Sequence, residues 1–162
     1  MSQRKIVLDA DQLRKYQGGV PKDQISRNDI YIVLDNVLDT YNIGSIFRLA
    51  DAVAAKKIYL CGQTEIPPNP RIKKASINTT EVVEWSYAEK AVEVINDLRL
   101  KIKDIKIIAI EQNKKSVPYD QFNYKLPIAL VVGHESDGVS KEVLNIADVI
   151  VELPMFGINK SL

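Results

Sequence analysis

The chain has 162 residues, 46% of them hydrophobic and 27% charged. That is the length of one ordinary domain, able to bury roughly two thirds of its extended-chain surface. Its near-average composition excludes disordered, collagen-like and mucin-like classes. With 22 Lys and Arg against 21 Asp and Glu the net charge is +1, so any footprint for a polyanion must be local.

A single cysteine, Cys61, excludes an internal disulfide, and one His beside one Cys makes a thiolate or imidazole zinc site hard to build. No metal is expected. Met1 to Asp11 mixes Arg4, Lys5, Asp9 and Asp11 around the short apolar run Ile6 to Leu8, which is not the pattern of a signal peptide. No stretch approaches the ~20 apolar residues of a membrane span, and a cytoplasmic protein with no membrane partner is expected.

In chain order, a basic helix is predicted at about Gln3 to Tyr16, separated by Gly18-Gly19-Val20-Pro21 from the first strand. Ile30 to Leu34 (IYIVL) is a continuous apolar run, the pattern of a strand buried on both faces. Lys57 to Leu60, Ile105 to Ile110, Ile128 to Val132 and Val149 to Leu153 read the same way. Helices are predicted between them at about Ile43 to Ala54, Ala88 to Lys103 and Lys141 to Ala147. Ile66 to Pro70 (IPPNP) can be neither helix interior nor central strand. Strands alternating with helices imply βαβ units, and so an α/β fold with an open, mostly parallel sheet and helices on both faces. Residues 1–29 read as a short basic extension, too small to be a domain, and 30–162 as the folded domain.

In such sheets ligands bind at the carboxyl ends of the strands, and three loops there stand out. The first, Asn36 to Asn42 (NVLDTYN), leads into the helix that begins NIGSIFRLADA. Asn42 is a good N-cap, with Asp35 and Asp39 favouring the helix's positive end. At 100° per residue Ile43, Ile46, Phe47, Ala50, Val53 and Ala54 share one face, and Arg48 lies about 100–140° from its centre. Arg48 is then either a solvated surface residue or a phosphate contact near a helix start.

The second loop is Gly133-His134-Glu135-Ser136-Asp137-Gly138. Its two glycines allow close backbone approach to a ligand, but the spacing is neither a dinucleotide fingerprint nor a Walker A loop. His134 is either incidental or a general base. Glu135 either orients a partner such as an Arg or favours the start of the next helix. The third loop, Pro154 to Ser161 (PMFGINKS), is apolar for an exposed segment and should cover something, either protein core or the flat face of a purine-containing cofactor. Ser161 has no His/Asp escort, which argues against a hydrolase triad.

Together and in this order the loops resemble the SpoU (TrmH-like) family of RNA ribose 2′-O-methyltransferases, within the SPOUT superfamily. The first family motif is matched from Leu34 to Ala52, the second by VVGHESDGVS from Val131 to Ser140, and the third by ELPMFGINKSL from Glu152 to Leu162. The segment Lys73 to Trp85 is similar to the family's connection, with less diagnostic weight. The resemblance implies S-adenosylmethionine as methyl donor and an RNA ribose 2′-hydroxyl as acceptor. It also implies a C-terminal trefoil knot around the cofactor, and a homodimer with catalytic groups contributed across the interface.

By matching position the resemblance implies Asn42, Arg48, Glu135 and Ser161 as catalytic residues. Val132, Gly133, Gly138, Leu153, Met155, Gly157 and Leu162 would line the cofactor. A guanidinium with a pKa above ~12 is an awkward base, so Arg48 reads as a phosphate clamp and electrostatic support for a developing alkoxide. Glu135 would orient Arg48 or Asn42, and Ser161 would hydrogen-bond to the ribose or to Asn42. The family's third motif continues with an Asn and a further helix, whereas this sequence stops at Leu162, so a truncated end is expected.

Arg4, Lys5, Arg14, Lys15, Lys22 and Arg27 make the N-terminal extension a modest basic arm suited to backbone contacts. Many relatives that act on rRNA carry a sizeable N-terminal domain for which it has no room, so tRNA is favoured over rRNA. The competing class is a non-catalytic RNA-binding protein on the same fold. A dehydrogenase is disfavoured because no GxGxxG follows Leu34.

Overall fold

Successive residues of a strand point to opposite faces of a sheet, so the unbroken run Ile30 to Leu34 requires cover on both sides. The computed structural model describes residues 9–15 and 25–159, and it supplies that cover. The strands are β1 (Asn28–Asp35), β2 (Ala55–Cys61), β3 (Trp85–Ala88), β4 (Lys106–Ile110), β5 (Val117–Pro118), β6 (Ile128–Gly133) and β7 (Val149–Glu152). They form one sheet in the order β3-β2-β1-β6-β4-β7-β5, every strand pair parallel. The helices are α1 (Ala10–Lys15), α2 (Thr40–Ala52), α3 (Pro70–Ser76), α4 (Ala91–Lys101) and α5 (Lys141–Ile146).

Two cores sandwich the sheet. Ile32 and Leu34 of β1 join Ile43, Phe47 and Ala50 of α2 and Ile72 of α3 on one face. Tyr31 and Val33 join Val94, Ile95 and Leu98 of α4 and Val143 of α5 on the other. Each fully buried side chain of this kind contributes roughly 1.5–3 kcal/mol. At the far end of the sheet Ile108, Ile128 and Val151 form a third cluster, with Phe122 packed against it. Gly44 lets α2 lie close on α3, since a Cβ there would sit 2.5 Å from Ala75 Cβ and 2.9 Å from the Ile72 carbonyl oxygen.

The mostly parallel open sheet with helices on both faces agrees with the sequence reading, and the five predicted strands and three of the helices stand within a few residues of their expected bounds. Three elements were not anticipated. The proline-rich IPPNP turn starts a helix instead of only breaking structure. Asn69 caps α3 by accepting from the Arg71 and Ile72 amides, and Pro70 takes the first position, where its missing N–H is not needed. Strands β3 and β5 are edge strands of four and two residues, too short for a periodicity. Of the helix predicted at Gln3 to Tyr16, Ala10–Lys15 is helical and the remainder lies outside the described residues. Among the described residues no helix is long and apolar enough to cross a membrane.

The chain order creates a switch point. From β1 the chain steps outward to β2 and β3, then crosses to the other side of β1 to lay down β4, with β6 inserted between the two. The crevice at the carboxyl end of β1 and β6, where Asp35 aligns with Gly133, is where such a sheet takes a ligand.

Candidate active site

Helix α2 starts one turn earlier than its apolar face suggests. Asp39, with extended backbone, is the N-cap, and its Oδ1 accepts from Tyr41 N at 2.7 Å and Asn42 N at 3.2 Å. The expectation that Asn42 caps the helix is therefore corrected. Asn42 sits inside the first turn, because the shorter reach from Asp39 satisfies the free amides first. Its side chain is left to point outward, where Nδ2 donates to Glu135 Oε1 at 3.3 Å.

Glu135 joins the second motif to the start of α2. Its Oε2 accepts from Leu38 N at 3.1 Å and its Oε1 from Asp39 N at 2.9 Å. Burial works to raise its pKa, but the Asp39 and Leu38 amides and the Asn42 side chain outweigh it and hold the carboxyl below its ordinary value. The carboxylate does sit at a helix start, that of α2 instead of α5, whose N-cap is Ser140. Of its two expected partners, Glu135 holds Asn42. Arg48 is exposed and makes no hydrogen bond or ion pair among the described residues.

His134 is taken up by its own loop. Nδ1 accepts from Ser136 N at 3.0 Å and Asp137 N at 3.1 Å and lies 3.8 Å from Asp137 Oδ2. Asp35 was expected to favour the start of α2, but it faces the other way. Its Oδ2 accepts from Ser140 N and its Oδ1 from Asn36 Nδ2.

A cleft of about 700 Å³ opens at these strand ends. Val132, Gly133 and Gly138 from the second motif and Leu153 and Met155 from the third line it, together with Asn42, Ser45, Ile46 and Leu49 of α2. The loop after β4, which carries no motif, adds Glu111 and Gln112. The signal was present, because the apolar run Ile107 to Ile110 ends at Glu111 and a strand's carboxyl end borders the crevice. Asn159 also faces the cleft. Gly157 stands in open space, and Ser161 and Leu162 lie outside the described residues.

The expectation that the apolar third loop covers something is met only in part. Leu153 and Met155, two positions apart, turn toward the cleft, which sends Phe156 outward. Phe156 and Ile158 are 95% and 102% exposed and cover nothing within the described residues. Arg48 is likewise off the cleft. Asn42, Ser45, Ile46 and Leu49 mark the cleft-facing side of α2, and Arg48 lies about 110° round the helix from its centre.

Comparison with known proteins agrees with this architecture. Residues 29–162 match the profile of the SpoU rRNA Methylase family. The tRNA (guanosine(18)-2′-O)-methyltransferase of Aquifex aeolicus (strain VF5) is 33% identical over 140 residues, which span 84% of this chain and 63% of that protein. The crystal structure of the A. aeolicus TrmH/SpoU tRNA modifying enzyme superposes with a TM-score of 0.75 at 27% identity, covering 94% of this chain and 73% of the other. The AdoMet-bound rRNA methyltransferase of Sinorhizobium meliloti gives a TM-score of 0.75 at 26% identity, over 93% of this chain and 54% of that one. The chain thus spans between about half and two thirds of the length of the curated relatives it matches.

Proposed function

This chain belongs to the SpoU rRNA methylase family, and from that premise we propose that it transfers the methyl group of S-adenosylmethionine to a ribose 2′-hydroxyl of RNA, with tRNA preferred over rRNA. The observation that carries the reading is the junction at Glu135. One carboxylate from the second motif grips the Leu38 and Asp39 amides and the Asn42 side chain of the first, at the mouth of the cleft that the third motif closes.

The cleft fits the donor. Val132, Ile110, Leu153 and Met155 offer an apolar wall suited to a flat base, and Glu135 places a carboxylate beside it that suits a sulfonium cation. Val132, Gly133, Gly138, Leu153 and Met155 would hold it, with Gly157 and Leu162 completing the set. Bound there, S-adenosylmethionine supplies a methyl group already activated for transfer. The chain's own task is to place a poorly acidic hydroxyl in line and to stabilise the charge that develops on it. Placement of this kind contributes several kcal/mol. Glu135 fixes Asn42, Asn42 and Ser161 orient the ribose, and Arg48 clamps a phosphate and supports the alkoxide.

Because Arg48 faces away from the cleft of its own chain, the reading includes a homodimer in which Arg48 serves a partner's cleft. The exposed rim of Leu49, Phe156 and Ile158 supports a covering copy. The reading also includes the family's trefoil knot at the C-terminal end, a folded domain from residue 30 preceded by the basic extension, and a cytoplasmic location.

Two measurements test this. Calorimetry with S-adenosylmethionine should show saturable binding, and labelled methyl transfer should favour a tRNA transcript over an rRNA one. Arg48→Lys should abolish transfer and keep RNA affinity within about twofold, since a lysine cannot reproduce the guanidinium fork. RNA binding with neither cofactor binding nor transfer would replace this reading with a non-catalytic RNA-binding role.

A further inference from the structure

The second-motif loop is gripped from two sides. Strand β6 lies between β1 and β4, and each neighbour ends in a carboxylate that reaches over the end of β6. Asp35, at the end of β1 and 3% exposed, accepts Ser140 N on Oδ2 at 2.9 Å and Asn36 Nδ2 on Oδ1 at 3.0 Å. Glu111, directly after β4, accepts Val139 N on Oε2 at 2.7 Å and Gln112 N on Oε1 at 3.0 Å. The backbone of Glu111 is itself fixed, its amide donating to the Val151 carbonyl at 2.9 Å.

The grip explains both glycines of the loop. Gly138 has φ +72°, and a Cβ there would overlap the Glu111 carboxylate. A Cβ on Gly133 would overlap the backbone of Gly138, because His134 and Gly138 close the loop on itself through reciprocal amide-to-carbonyl bonds of 3.0 and 2.9 Å. Gly133 meets the backbone of Gly138, and Gly138 meets Glu111, while both glycines also line the cleft, so their lack of a side chain serves the packing of the loop as well as the approach to a ligand that the sequence suggests. Carboxylates removed from water are retained when their oxygens find donors, and each of these four oxygens has one.

We propose, resting on the methyl-transfer reading above, that Asp35 and Glu111 are positioning residues which clamp the consecutive amides of Ser140 and Val139, and so hold the His134–Ser140 loop ready-formed as the wall of the cofactor cleft. Neither residue needs to touch the reacting atoms. The clamp removes loop freedom before binding, so its loss is felt as weakened cofactor affinity.

The test combines amide hydrogen exchange on the free protein with cofactor calorimetry and steady-state kinetics, using Glu111→Ala, Glu111→Gln and Asp35→Asn. Glu111→Ala should speed exchange at Gly138, Val139 and Ser140 together by about tenfold or more, with Ala129 and Val131 of β6 unchanged. It should raise the cofactor KM about tenfold more than it lowers kcat. Glu111→Gln, which keeps one acceptor, should recover part of both effects, and Asp35→Asn should loosen the same amides from the other side. Faster exchange confined to Val139, with cofactor affinity within twofold of wild type, would overturn the proposal. So would an equal loss of stability across β6 and the loop. Wild-type protein that binds no S-adenosylmethionine would instead sink the methyl-transfer reading, and the clamp would stand or fall on exchange alone.

Discussion

Replacing Glu135 with Ala removes a side chain that ties the second motif to the start of α2. It deletes charge-assisted bonds to Asp39 N at 2.9 Å and Leu38 N at 3.1 Å, and a longer one to Asn42 Nδ2 at 3.3 Å. A hydrogen bond to a charged group is worth about 1.5–3 kcal/mol where it is buried. The amides here are exposed enough to recover water, so the three together should contribute about 2 kcal/mol. For a chain of this size that lowers the melting temperature by about 4–8 °C. The pH dependence follows from the direction of the pKa shift. Hydrogen bonds hold the folded carboxyl below its ordinary value of 4.5, so its stabilisation is fully present above that value and is lost as pH falls through the lower folded pKa. Melting curves of wild type and Glu135→Ala should therefore differ fully between pH 6 and 8 and converge under acid. A difference that persists undiminished to the acid limit of folding, or that is under 1 °C at neutral pH, would refute the account of Glu135 as an ionised brace.

Gly44→Ala should destabilise by about 1–3 kcal/mol despite better helix propensity, because the new methyl meets Ala75 Cβ and the Ile72 carbonyl; a rise in the urea midpoint would contradict the close α2–α3 contact. Gly138→Ala should cost stability through its positive φ and its overlap with Glu111, and the loss should shrink in a Glu111→Ala background. Strict additivity in that double-mutant cycle would remove Glu111 from the explanation. Cys61 is buried, and burial first, then the charge of Asp35, pushes its thiol up to about 12. It should resist an aromatic disulfide reagent at pH 8 in the native protein and react fully in denaturant, and native labelling within minutes would disprove its enclosure.

Much of the fold was legible because a strand buried on both faces needs an unbroken apolar run, and Ile30 to Leu34, Ile107 to Ile110 and Ile128 to Val132 are such runs. The remaining elements lie where that signal fails. Strands β3 and β5 are edges, Trp85–Ala88 and Val117–Pro118, held by a neighbour's backbone more than by side-chain pattern. Helix α3 hides behind Pro67, Pro68 and Pro70, since proline marks a break and a helix's first residue with the same letter.

The site divides in the same way. Asn42 and Glu135 carry a motif each, and their meeting in space at 3.3 Å follows once β1 and β6 are neighbours. Asp35 and Glu111 needed the strand order itself, because a carboxylate's partner amide is invisible until β6 is known to lie between β1 and β4. Arg48 is the instructive case. Helical spacing alone puts it off the buried face, and the same spacing puts it off the cleft marked by Asn42, Ser45, Ile46 and Leu49. One helix cannot turn two faces about 110° apart toward the same ligand. If Arg48 works in the reaction, it works on a phosphate beyond the rim or in the cleft of a second copy. Mixing inactive Arg48→Ala protein with inactive Glu135→Ala protein separates the two. Restored transfer in the mixture places the residues in different chains of one site, and its absence in a proven heterodimer places them in the same chain.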